Sequence, residues 1–474
     1  MKLSELLFRF GINAAPKINE EISGLSSDSR NAGRGVPFVC IKGNQCDGHN
    51  FVAEAYRNGA RTFFVTKEIS GYDDCDVIFV KNARNFLAEA SFFLLGNPET
   101  ELQIIGVTGT KGKSTTAYAL YRILSGIGER AALIGTLGFF GIPNMEIVNT
   151  TPPPEIIAAS MRSAKDSLCK YFILEVSSQA IKEERVFKIP FHAAIFTNVG
   201  RDHIGVGEHS SFEDYISAKR KLFTDFGVRL AVVNSDDEYS EYMSGAVEGT
   251  VTVGGGIADF RLEKITSDSD GVSFILDGNF CNTNLHGDYN AYNLSLAAVT
   301  AAKLTNVSLA KALSQLENIE IPGRFEIINR FGRIFVIDYA HNAMSVEATL
   351  SECKKLTDGK LIAVFGSVGE RSYERRAELA VYVSRYADSL VITSDNPNFE
   401  SADKICEEIF SFVPLDADAS IVVDREEAIK YAFSISKSGD VIALLGKGHE
   451  RWQTALGVRI PFSERDIVNA LREK

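Results

Sequence analysis

Residues 103–124, QIIGVTGTKGKSTTAYALYRIL, constrain the fold more than any other stretch. An apolar run ends in a glycine-rich turn, and Gly112-Lys113-Ser114 opens a segment with helical spacing. A strand that feeds a helix through such a turn aims backbone N–H groups and the positive end of the helix at phosphate oxygens. In that geometry Lys113 reaches the β- and γ-phosphates and the Ser114 hydroxyl faces Mg²⁺. The ordinary phosphate loop asks for glycine five residues before Gly112; Val107 stands there, and the glycines fall at 106 and 109. A glycine turn joining strand to helix is the bland alternative, but Lys-Ser at the helix start with threonines on both sides favours a nucleotide.

Strand-then-helix units recur along the chain, which points to an α/β fold with mostly parallel sheets. At 474 residues the chain is too long for one core and suggests three domains. The first, 1–100, has strand candidates at 36–41, 62–65 and 77–80 and ends at the turn GNPETEL. The second, 101–322, opens with the apolar run 102–107 and closes at Pro322-Gly323. The third, 323–474, contains RIFVIDYAHN, KLIAVFGSVGER, SLVITSDNPN and DVIALLGKGHE, each an apolar strand ending in polar or glycine residues. In open α/β sheets ligands bind at such carboxyl ends. Helices are expected at 375–386 and 403–412.

Composition narrows the function. Lys+Arg 50 against Asp+Glu 62 gives a net charge of -12, which repels nucleic acid and anionic lipid, so a polyanionic ligand needs a local site. No run of ~18 apolar residues is present, and the start lacks the apolar core of a signal peptide. A soluble, cytoplasmic, monomeric protein without membrane insertion is expected. Seven cysteines, with no Cys-x-x-Cys pair, speak against a disulfide framework or thiolate zinc site. They read as reduced and mostly buried.

TGTKGKST resembles the ATP loop of the Mur ligase family, enzymes that activate a carboxylate as an acyl phosphate and join an amine to it. The resemblance assigns Gly109, Thr110, Lys111, Gly112, Lys113, Ser114 and Thr115 to ATP. EVSSQAI places Glu175 at a strand end, where the family holds a hard cation. FTNVGRDHIG resembles the family's Asn-x-x-x-Asp-His stretch, implicating Asn198 in nucleotide contact and His203 in a second Mg²⁺. In FEDYISAKRKLF, Lys219 alone reads as a solvated lysine on a cationic helix face; the family pattern Ala-Lys-x-x-Leu-Phe makes it a carbamylated Mg²⁺ ligand. GDYNAYN, PGRFE and DYAHN supply Asn290, Asn293, Arg324 and Asp338 on the nucleotide. Catalysis is thus expected from Lys113, Glu175, His203 and Lys219, with Ser114 as a further metal ligand, and closure of the third domain over the ATP is expected.

The first block, LSSDSRNAGRGVPFVCIKGNQCDGHNF, is similar to the uridine-nucleotide domain of the family's tripeptide-synthetase branch. Ser27, Ser29, Asn44, Gln45 and Cys46 match UDP-contacting positions, and Thr150, Thr151, Ser177 and Arg185 match muramoyl-peptide contacts. Glu183 replaces a frequent Gln. The implied reaction joins an amino acid to UDP-N-acetylmuramoyl-L-alanyl-D-glutamate with ATP and Mg²⁺. Arg371, Asp395, Asn396, Asn398, Gly446 and Glu450 match the amino-acid site. Members that add diaminopimelate carry Asp-Asn-Pro-Arg, whereas this chain reads Asp395-Asn396-Pro397-Asn398. The missing cation argues against diaminopimelate, and TGTKGKST, the glutamine of VSSQ and GRDHIGVGEH resemble the lysine-adding branch, although GKGHE resembles the diaminopimelate branch. L-lysine is favoured, with diaminopimelate and ornithine behind it and Asp395 or Glu450 pairing the side-chain ammonium. A folylpolyglutamate or other Mur-type ligase, or a noncatalytic nucleotide-sensing relative, is the alternative.

Overall fold

The computed structural model describes all residues except 44–45, 144–148, 201–204, 206–207, 246, 269, 371–372 and 474. Helix α1 (Leu3–Arg9) precedes a small parallel sheet of β1 (Phe38–Val39), β2 (Thr62–Val65) and β3 (Asp76–Phe79), ordered β1-β2-β3. Helix α2 (Val52–Arg57) lies between β1 and β2 in sequence, and α3 (Ala83–Leu94) follows β3. The strand expected at 36–41 shortens to Phe38–Val39. Pro37 has no N–H for the ladder, and the Ile41 carbonyl turns away to accept from the Gly48 amide at 2.9 Å. Asn82 caps α3 by accepting from the Arg84 and Asn85 amides. Phe86, Leu87 and Ala90 of that helix then pack with Leu3, Leu6 and Leu7 of α1 and Phe64 of β2.

The second sheet begins with β4 (Gln103–Thr108), α4 (Lys113–Gly126) and the antiparallel pair β5 (Ala131–Gly135) and β6 (Gly138–Phe140). It continues with α5 (Pro154–Asp166), β7 (Tyr171–Glu175), α6 (Ser178–Lys182), β8 (Phe191–Phe196) and α7 (Phe212–Thr224). Next come β9 (Leu230–Asn234), α8 (Ser240–Ser244) and β10 (Thr250–Gly254). These strands lie in the order β10-β9-β8-β4-β7-β5-β6, so the nucleotide-loop strand β4 is central and parallel to both neighbours. Strand β11 (Phe260–Asp268) joins β10 at Val253↔Phe260 and continues into β12 (Gly271–Leu276) and β13 (Asn279–Thr283). Helices α9 (Tyr289–Thr305) and α10 (Leu309–Leu313) follow.

The last sheet contains β14 (Glu326–Arg330), β15 (Arg333–Asp338), β16 (Leu361–Phe365), β17 (Ser389–Ile392), β18 (Ala419–Ile421) and β19 (Val441–Leu445). Its order is β14-β15-β19-β16-β17-β18, parallel except for β14. Alternation along β16 sends Leu361, Ala363 and Phe365 to one face and Ile362 and Val364 to the other. The first set packs under α11 (Ala343–Lys355), α12 (Tyr373–Tyr386) and α13 (Ala402–Phe410); the second packs under α14 (Arg425–Ile435) and α15 (Glu464–Ala470). Burial on both faces explains why these strands read as unbroken apolar runs. A hairpin of β20 (Trp452–Ala455) and β21 (Val458–Pro461) follows β19.

The chain divides into two compact units. One comprises Met1–Glu263, Ile275–Asn279 and Tyr292–Leu316; the other comprises Lys264–Phe274, Phe280–Ala291 and Glu317–Lys474. Among the described residues no helix is long and apolar enough to cross a membrane. All seven cysteines are free thiols; Cys46 is exposed, Cys169 half-buried and the other five buried.

Candidate active site

Strand β4 ends at Thr108 and α4 starts at Lys113, so the loop 109–112 sits at the carboxyl end of the sheet's central strand. Gly112 caps α4 with φ 81°, and a Cβ there would overlap the Asn293 amide. Only glycine meets both conditions without strain. The Asn198 side chain accepts from the Lys111 amide at 2.9 Å and donates to its carbonyl at 3.2 Å. Its own carbonyl accepts from the Thr110 amide at 2.8 Å. Lys113 Nζ donates to the Gly109 and Thr110 carbonyls at 2.9 and 3.1 Å, so the ammonium bends over the loop that would wrap a phosphate.

Glu175 is the last residue of β7, opposite Val107 of β4, and is 1% exposed. It accepts from Ser114 Oγ at 2.9 Å, the Thr136 amide at 2.9 Å and Thr136 Oγ1 at 3.1 Å. A carboxylate and two hydroxyls clustered at a helix N-terminus are hard oxygen donors, the set Mg²⁺ takes beside nucleotide phosphates. The residues present therefore fit that ion.

Lys219 is 2% exposed, which overturns the solvated reading. It shares the buried face of α7 with Tyr215, Ala218 and Leu222, whereas Lys221 faces solvent. Its Nζ donates to the Gly109 carbonyl at 2.8 Å and lies over the Tyr215 ring at 4.5 Å. The Tyr215 hydroxyl bonds Thr110 Oγ1 at 2.9 Å, so α7 holds the nucleotide loop at two successive residues. His203 lies outside the described residues, as do Asn44, Gln45 and Arg371.

A second group of contacts continues from Glu175. Its carbonyl accepts from Thr151 Oγ1 at 2.7 Å, and that hydroxyl also receives the Ser177 amide at 3.0 Å. Thr150 Oγ1 bonds Thr136 Oγ1 at 3.0 Å, and Arg185 donates to the Thr151 carbonyl at 2.8 Å. Glu183 holds Arg185 through its Nε at 2.9 Å and accepts from Gln179 at 2.7 Å. Burial pushes the Glu183 carboxyl up, but Arg185 and Gln179 outweigh it and the net shift is downward. In the first sheet's loops, Ser27 donates from its amide and hydroxyl to Glu155 at 3.0 and 2.6 Å, and Ser29 donates to Glu54 at 2.5 Å. Arg84 spans the Glu183 and Lys42 carbonyls, tying the stretch before Cys46 to the arginine loop.

In the second unit, Asp338 accepts from the Phe325 and Ala340 amides at 2.7 and 2.8 Å and from Thr349 at 3.1 Å. Burial raises its pKa against the opposing pull of Arg324, which lies over the Tyr339 ring at 4.8 Å. Asn290 donates to the His286 carbonyl at 2.7 Å, whereas Asn293 belongs to the first unit and meets Thr116 at 3.4 Å. At the ends of β17 and β19 a further cluster forms. Lys447, wholly buried, donates to Glu450 at 2.6 Å, Asn396 Oδ1 at 2.9 Å and the Trp452 carbonyl at 2.6 Å, and lies 3.9 Å from Asp395. Gly446 passes so close to Asp395 that a Cβ would come within 2.7 Å of its carboxylate. Asn398 takes a left-handed φ of 54°, with its amide donating to the Thr454 carbonyl at 3.1 Å.

Three family profiles match in this order: the catalytic domain of the Mur ligase family over residues 21–91, the Mur ligase middle domain over 107–302, and the Mur ligase glutamate ligase domain over 323–448. The chain is 34% identical over 459 residues to the UDP-N-acetylmuramoyl-L-alanyl-D-glutamate--2,6-diaminopimelate ligase of Aquifex aeolicus, covering 96% of this chain and 94% of the relative. This chain belongs to the Mur ligase family. The like-named enzyme of Clostridium perfringens is 35% identical, with 96% of each chain covered. A solved structure of a ligase of that name superposes with a TM-score of 0.64 at 25% identity over 99% of this chain and 98% of that one. The Mur ligase described here is thus an ATP-dependent, ADP-forming enzyme of three α/β domains. The relatives support a tripeptide ligase and do not support lysine as the residue added.

Sequence reasoning missed several contacts in this Mur ligase. Thr136, Glu155 and Lys447 touch residues assigned to all three substrates. Lys447 directly follows the assigned Gly446, whereas Thr136 and Glu155 lie outside every motif assigned from the sequence.

Proposed function

We propose that this Mur ligase joins a diamino acid to the D-Glu γ-carboxylate of UDP-N-acetylmuramoyl-L-alanyl-D-glutamate, in peptidoglycan precursor synthesis. The carrying observation is the loop at the end of β4, where Lys113 arcs over the phosphate cradle, Ser114 meets buried Glu175, and buried Lys219 reaches the same loop. Mg²⁺ held by Ser114 and Glu175 would offset negative charge on the triphosphate. The chain's residues do the rest by positioning and charge. Lys113 and the N-terminus of α4 draw on the phosphates while the γ-carboxylate attacks the γ-phosphorus, forming an acyl phosphate and releasing ADP. Thr151, Ser177 and Arg185 hold the peptide so that its carboxylate points at that phosphorus. The acceptor amine then attacks the acyl carbon and phosphate departs, with no cysteine or serine nucleophile. The nucleotide halves of the two substrates are assigned to domains 1–100 and 101–322, and the acceptor to 323–474.

Charge arithmetic supports L-lysine as the acceptor. Asp395 and Glu450 bring two formal negative charges against the one positive charge of Lys447; with Arg371 assigned to the acceptor's α-carboxylate, one negative charge remains for the acceptor's side-chain end. A terminal ammonium balances it; the zwitterionic end of diaminopimelate adds a carboxylate that meets Asn398 instead of a cation. Diaminopimelate is the second reading, favoured by the activities named for the relatives from Aquifex aeolicus and Clostridium perfringens. The test supplies ATP, the UDP-dipeptide and each of L-lysine, meso-diaminopimelate and L-ornithine, and weighs the tripeptide product. Preferential incorporation of lysine supports the assignment, and preferential diaminopimelate overturns it.

A further inference from the structure

Arg425 is placed against every local preference. Its side chain is wholly buried, and it is the first residue of α14, where the helix dipole favours anions; Glu426 and Glu427 follow it in that turn. Burying a guanidinium is costly unless it is paired and fully bonded. Glu464, the first residue of α15 and equally buried, supplies the pair at 2.8–2.9 Å. Such conflicts between local rules and structure mark positions retained for something other than stability.

The guanidinium's other bonds show what is gained. Nη1 donates to the Ser394 carbonyl at 3.2 Å and Nη2 to the Leu445 carbonyl at 2.6 Å. Those carbonyls belong to the residues directly before Asp395 and Gly446. They follow β17 and end β19, two strands separated by β16, so no ladder hydrogen bond sets their spacing. On the far side Gln453 donates to the Asp395 carbonyl at 2.6 Å and to Ser394 Oγ at 2.7 Å. The segment carrying Asp395 is therefore gripped at two consecutive carbonyls, and the segment carrying Gly446, Lys447 and Glu450 is gripped by the same guanidinium.

We infer that Arg425, held by Glu464, is a positioning residue for the acceptor amino acid, fixing the gap between the Asp395–Asn396 and Gly446–Glu450 halves of its pocket. The inference rests on the assignment of those residues to the acceptor. Steady-state kinetics of Glu464→Gln and Arg425→Lys test it, alongside trapping of the acyl phosphate as a hydroxamate by hydroxylamine, a nucleophile too small to need the pocket. Loss of a charge-assisted clamp should raise the acceptor KM about tenfold or more. The KM values for ATP and UDP-dipeptide and the hydroxamate rate should stay within about twofold, with Arg425→Lys milder than Arg425→Met. An unchanged acceptor KM, or a parallel rise in all three KM values, overturns the clamp. Absence of both hydroxamate and amino-acid-dependent phosphate release in the unmodified enzyme refutes the acyl-phosphate reading itself and takes the clamp down with it.

Discussion

A lysine with one face of a helix to itself behaves according to which face that is. Lys219, Arg220 and Lys221 are adjacent in sequence, yet only Lys219 shares the core side with Tyr215 and Leu222. The i, i+4 and i, i+3 spacing to those two residues carried that information, and charge alone obscured it. A neutral Lys219 amine that adds carbon dioxide and gives up a proton becomes a two-oxygen anion at the phosphate loop. Lys219→Ala should then lower turnover by about a hundredfold or more, with partial recovery in bicarbonate; a carbon-13 carbamate signal from labelled bicarbonate checks the modification directly. At the acceptor end, Asn398→Arg restores the cation of the diaminopimelate-adding pattern. The arginine contributes about 1.5–3 kcal/mol to a carboxylate, so the ratio of diaminopimelate to lysine incorporation should rise roughly ten- to a hundredfold in a competition assay. Lys447 shows the limit of reading residues singly, because its partners Asn396 and Glu450 lie 51 and 3 positions away and only the fold unites them.

The strand, loop and helix of the nucleotide site were legible because their signals are local. Apolar run, glycines and Lys-Ser follow one another, and β4 and α4 form where the pattern places them. Gly112→Ala forces a left-handed alanine, costing about 1–2 kcal/mol, and drives a methyl into Asn293. Nucleotide titration should show weaker binding, with a lower melting temperature in the same variant. Helix α7 depends on an acidic first turn: Asp214 accepts from Lys182 at 2.8 Å and from the Ser210 amide at 3.0 Å. Lys182 first, then Ser210, hold its carboxyl well below the ordinary carboxylate range. A depressed acid contributes stability that is present above its unfolded value and lost as pH falls through its folded one. Asp214→Asn should therefore destabilise α7 modestly at neutral pH and flatten the dependence of unfolding on pH below about 4, as followed by circular dichroism. What stayed hidden at this scale was the short β1, set by Pro37 and the turn of Ile41 toward Gly48.

Three α/β domains could be read from length and from the Pro322-Gly323 break, but the division into compact units could not. Residues 264–274 and 280–291 fall in the unit that also holds 317–474, while 275–279 fall in the other, a partition that no contiguous stretch of sequence displays. The net charge of -12 excluded a general polyanion surface, so anionic nucleotides need a local site, and the N-terminus of α4 with Lys113 is the one proposed for them. Because activation of the carboxylate precedes amide formation, phosphate release should require both ATP and UDP-dipeptide and should rise when the acceptor is added. The decisive measurement uses UDP-dipeptide labelled with oxygen-18 in the D-Glu γ-carboxylate. Passage through an acyl phosphate delivers one labelled oxygen to the inorganic phosphate released with each tripeptide; unlabelled phosphate formed alongside tripeptide would contradict it.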